Sequence, residues 1–72
     1  MSNTERARFT LTVKETGTGV PWLMFEPFDS NLEVLGNGFL GLRLPAGTSY
    51  EKAQEIARFI NQNVESVTYT KL

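Results

Sequence analysis

Pro45-Ala46-Gly47-Thr48-Ser49-Tyr50-Glu51 closes an alternating apolar segment and opens the one segment of this chain with helical periodicity. Thr48 and Glu51 stand at capping-box spacing. There an N-cap hydroxyl and an N3 carboxylate each accept a bond from an otherwise orphaned backbone N–H. From Ser49 to about Gln62, a step of 100° per residue gathers Tyr50, Ala53, Ile56, Ala57 and Ile60 on one stripe, with Phe59 at its margin. The remaining surface is polar, so the helix should cover one face of a sheet. Asn61 and Asn63 are expected to end it, because asparagine tolerates the left-handed conformation.

Upstream, the period changes to two. Phe9, Leu11 and Val13 alternate with Arg8, Thr10, Thr12 and Lys14, which describes a half-buried strand after a polar lead-in from Met1 to Ala7. Glu15-Thr16-Gly17-Thr18-Gly19 can turn the chain, and Trp22 to about Glu26, bracketed by Pro21 and Pro27, should pair back as a hairpin. Asp29-Ser30-Asn31 and Gly36-Asn37-Gly38 are turn clusters on either side of Leu32 to Leu35, which is either a short extra strand or a loop. Phe39 to Leu44 alternates again. Val64 to Thr70 supplies a last strand with Val67 and Tyr69 on one side. The expected fold is α+β: a mainly antiparallel sheet of four or five strands with one helix on one face, in the order β-β-(β)-β-α-β. A strand, helix, strand order also suggests a right-handed crossover.

Seventy-two residues make one domain, near the size at which a single core only just offsets chain entropy. Cysteine is absent, which removes disulfides and thiolate zinc sites as supports; histidine is absent too, which removes the commonest general base and metal ligand. A formal net charge of -1 gives no global attraction to phosphate backbones. The first eight residues lack the apolar core of a signal peptide and no long apolar run follows, so a cytoplasmic protein without membrane contact is expected.

Strand alternation puts Phe9, Leu11, Val13, Leu23, Phe25, Leu40, Leu42 and Leu44 in the core and sends Trp22, Met24 and Phe39 to the opposite face. Beside them fall Arg8, Thr10, Thr12, Lys14, Arg43, Ser66 and Thr68. An open face carrying Trp, Met and Phe marks an interaction surface, since such side chains dominate interface cores. The competing reading is a minor core covered by the loop from Pro27 to Gly38. A third is a nucleotide-stacking platform, for which Arg8, Lys14 and Arg43 are a thin supply of cations.

Gly36, Gly38 and Gly41 do not complete a dinucleotide fingerprint, because no helix opens behind them. Pro45-Ala46-Gly47 lacks the lysine of a phosphate loop. Asp29-Ser30-Asn31 falls short of a hard-cation loop, and the carboxylates are scattered, with Glu51 and Glu55 on a solvated helix face. No catalytic, cofactor or metal site is therefore expected, and a two-carboxylate hydrolase is the least favoured reading. The sequence favours a non-catalytic protein-binding module that pairs with itself, using Trp22, Met24, Phe39, Arg8 and Arg43. A small regulator or inhibitor of a larger protein is the alternative, and nucleic acid is not an expected partner.

Overall fold

The computed structural model describes residues 3–15, 17, 19–28, 32, 35–36 and 38–71. Among these residues four strands and one helix follow the order β1 (Asn3–Lys14), β2 (Trp22–Pro27), β3 (Leu40–Arg43), α1 (Tyr50–Asn63) and β4 (Ser66–Lys71). The sheet order is β3-β2-β1-β4 and every pairing is antiparallel. Three successive reversals leave β3 and β4 antiparallel at opposite edges. The chain between them, α1 included, is thus not a parallel crossover, and the handedness rule for such crossovers does not govern it.

β1 is long because two partners share it. Asn3 to Arg8 pair with β4, and Phe9 to Lys14 pair with β2. The stretch from Asn3 to Ala7, read from sequence as a lead-in, is therefore strand. Its residues do not alternate in polarity, because Thr4 and Arg6 face one side while Glu5 faces the other. Pairing with a strand more than fifty residues away fixes it, helped by a 3.0 Å hydrogen bond between the hydroxyls of Thr4 and Thr70.

The core is Ala7, Phe9, Leu11, Leu23, Phe25, Leu32, Ala53 and Ala57, with Val13, Leu35, Leu42, Leu44, Ile56, Ile60 and Val67 packed around it. Phe9 and Phe25 stack at 4.9 Å between ring centres. The helix contributes alanines where it comes closest, so it settles mainly over β1. Tyr50 and Phe59, at the ends and margin of its apolar stripe, stay exposed.

Leu32 and Leu35 join this core on the helix side of the sheet. The Leu35 N–H donates to the Leu32 carbonyl at 3.0 Å and the Gly38 N–H to the Leu35 carbonyl at 2.8 Å, and the described residues add no fifth strand to the four. Glu33, Val34, Asn37 and the turn cluster 29–31 lie outside the described residues. Gly36 has a positive φ, 54°, while Gly38 does not.

The helix starts one residue later than the capping box implied. Ser49 is the N-cap, its Oγ accepting from the Lys52 N–H at 3.1 Å. Thr48 is already engaged: its hydroxyl donates to the Pro45 carbonyl at 2.6 Å and its N–H reaches the same oxygen at 3.2 Å. Together these close a turn in which Gly47 has φ of 87°. Ser49→Ala should therefore cost about 0.5 to 2 kcal/mol in urea denaturation. Thr48→Ala should cost less, and the reverse ranking would move the cap back to Thr48.

The helix also ends by other means than a left-handed asparagine. No described residue other than glycine has positive φ, and the cap is Val64 in extended conformation, its N–H donating to the Ile60 carbonyl at 2.8 Å. Asn63 Nδ2 donates back to the Phe59 carbonyl at 2.7 Å. Asn61, one turn from the end, reaches across to β1. Its Oδ1 accepts from the Leu11 N–H at 2.8 Å and its Nδ2 donates to the Leu11 carbonyl at 3.1 Å. One carboxamide thus supplies the donor and the acceptor of a missing strand at the part of β1 that β4 does not reach.

Candidate functional site

On the face away from the helix, registers set the neighbours. Lys14, Trp22 and Arg43 form one cross-strand row; Thr12, Met24 and Gly41 form the next; Thr10 and Glu26 follow. Phe39, just before β3, lies on this face as well and stacks on Trp22 at 5.7 Å between ring centres, with 28° between planes. The indole lies over Gly41, so closely that a Cβ there would sit 3.0 Å from two of its ring carbons. Glycine at position 41 is what lets the tryptophan lie down on the sheet.

Val20, Pro21, Trp22, Phe39, Gly41, Arg43, Leu44 and Ala46 line an open groove of about 450 Å³ at this corner. Trp22 and Met24 are half-buried, whereas Phe39 is 63% exposed. Trp22, Met24, Phe39 and Arg43 therefore converge as the alternation implied. Arg8 does not join them. It pairs with Ser66 in the other half of β1, six residues from Lys14, or roughly 20 Å along the strand. Lys14 takes the place assigned to it, flanking the indole opposite Arg43. The signal was the hairpin register, which the turn between β1 and β2 sets.

Of the loop after β2, Leu32 and Leu35 turn to the helix side. On that side a second apolar groove of about 450 Å³ runs beside Phe25, Leu35, Leu40, Leu42, Ile60 and Tyr69. It opens because α1 sits over β1 and leaves β3 thinly covered, with Leu40 48% exposed.

Among the described residues no three His, Cys, Asp or Glu side chains come together where a metal ion could be held. Of the helix carboxylates, Glu55 lies 3.6 Å from the Lys52 ammonium on exposed surface, a contact that adds little. No described helix is long and apolar enough to cross a membrane. No protein-family model, curated protein or solved structure matches the chain.

Proposed function

We propose that this chain is a non-catalytic, cytoplasmic protein-binding module whose first partner is a second copy of itself. Support comes from one corner of the fold. There the edge strand β3 opens with exposed Leu40, exposed Phe39 lies just before it, and the stacked pair Trp22–Phe39 extends the apolar surface across the open face. An exposed edge strand is a template for another strand, and aromatic side chains beside it add the anchoring area that short strand pairing lacks.

Light scattering on a sizing column over a range of concentrations tests this, with dimers expected at high micromolar protein. Phe39→Ser should weaken dimerisation by about tenfold or more. Losing the stack on Trp22 should cost stability no more than about 1.5 kcal/mol, which leaves the chain folded. A strict monomer at high micromolar concentration would overturn self-association.

The row Lys14–Trp22–Arg43 favours a second reading, because a cation on each side of an aromatic ring is the makeup of a single-strand stacking platform. The net charge of -1 weighs against it. Titrating Trp22 fluorescence with short oligonucleotides at physiological salt should show weak, non-specific binding. Tight quenching that falls steeply with added salt and is lost in Arg43→Ala would promote nucleic acid over protein.

A further inference from the structure

We propose that two copies join β3 to β3, antiparallel, with Gly41 on the two-fold axis, so that two four-stranded sheets become one continuous sheet. This rests on the self-association read above and adds its register.

The direction of the backbone groups supplies the first constraint. Phe28 donates its N–H to the Arg8 carbonyl, so at that position β2 points its backbone towards β1. Alternation then turns Glu26, Met24 and Trp22 towards β1 and Phe25 and Leu23 towards β3. Leu40 and Leu42, opposite Phe25 and Leu23, spend their N–H and C=O groups on β2. Gly41 and Arg43, and Phe39 before them, point theirs out of the edge.

Side-chain parity supplies the second. Residues directly opposite each other share a face, so a symmetric pair must centre on one residue. Centred on Leu42, it would set Phe39 against Pro45, which has no N–H to give. Centred on Arg43, it would set two like charges face to face. Centred on Leu40, it would pair Gly41 with Phe39 and leave Arg43 without an opposite number among residues 39–43.

Centred on Gly41, all three outward residues are used. Gly41 exchanges bonds with its own copy, and Phe39 exchanges them with Arg43 of the other copy. The Phe39 ring and the Arg43 guanidinium then lie together on the open face, a favourable cation–π pairing formed twice by symmetry. On the helix side, the exposed Leu40 meets Leu42 of the other copy and the two apolar grooves adjoin.

Leu40 and Leu42 of different copies are then a non-hydrogen-bonded antiparallel pair, whose Cα separation of about 4.5 Å suits a disulfide. The chain has no cysteine of its own. Leu40→Cys and Leu42→Cys variants, mixed in equal amounts and oxidised, should yield a covalent heterodimer on a non-reducing gel, while each alone stays uncrosslinked. Crosslinking by Leu40→Cys alone or by Leu42→Cys alone would overturn the register but not self-association. No crosslink in any mixture, with the wild type dimeric by light scattering, would overturn the β3 edge.

Amide exchange on the unmodified chain gives an independent reading. Raising the protein concentration across the dimerisation range should slow the Gly41 and Arg43 amides, while those of Leu40 and Leu42, already bonded to β2, change less. Equal exchange of Gly41 in monomer and dimer would overturn the proposal.

Discussion

Asn61→Ala should destabilise the protein by about 1 to 3 kcal/mol, because it leaves the N–H and the carbonyl of Leu11 without their partner in a partly buried setting. The sign is diagnostic. Alanine is a better helix former than asparagine, so if Asn61 were only a helix residue the substitution would raise stability by a few tenths of a kcal/mol. Asn61→Asp keeps the acceptor for the Leu11 N–H but places a carboxylate oxygen against the Leu11 carbonyl. At neutral pH it should cost at least as much as alanine. Urea denaturation of the three proteins measures both losses, and an alanine variant as stable as the wild type would mean that the bridge to β1 contributes nothing.

The second large effect is expected at Leu23, whose side chain is fully buried at 0% exposure between Val13 and Leu42 in register. Leu23→Ala should cost about 3 to 5 kcal/mol, the lost transfer energy plus the cavity that the surrounding strands cannot close. A domain of this size has roughly 4 to 11 kcal/mol in all at ordinary stability per residue, so the variant should lose between about a quarter and all of its stability. Leu23→Met, which conserves volume, should lose less than about 1.5 kcal/mol. Thermal melting followed by circular dichroism separates them, and a loss below about 1 kcal/mol for alanine would show that the centre of the sheet is not tightly packed.

Much of this fold was legible because burial and period coincide. Phe9, Leu11 and Val13 alternate because β1 lies between helix and solvent there, and Ala53, Ile56, Ala57 and Ile60 repeat because one side of α1 faces β1. Where a residue is held by a distant partner, the local pattern is silent. Thr4, Glu5 and Arg6 are polar in succession yet form a ladder with β4. Thr48 and Ser49 are adjacent hydroxyls that can each cap a helix, and what separates them is the turn to Pro45 that occupies Thr48. Asn61 bonds a strand fifty residues away, which no local preference of asparagine implies.

At the candidate site, side-chain parity was enough to bring Trp22, Met24 and Phe39 to one face. Position along the strand was not. Arg8 and Lys14 share a face but stand at opposite halves of β1, and only the register tells which of them flanks the indole.

The division of β1 between two partners bears on how the chain folds. Its second half meets β2 across a short hairpin, from Lys14 to Trp22, whereas its first half must wait for β4 across most of the chain, from Arg8 to Ser66. Closing the longer loop costs roughly 1.8 kcal/mol more, since each doubling of length adds about 0.6 kcal/mol. The hairpin is therefore the natural nucleus. Docking of α1 onto it, with the Asn61 carboxamide latched to Leu11, delivers the start of β4 within reach of Arg8 and turns the remaining search into a local zipping. A single strand thus serves first as template for its neighbour in sequence and afterwards as the seam that the end of the chain closes.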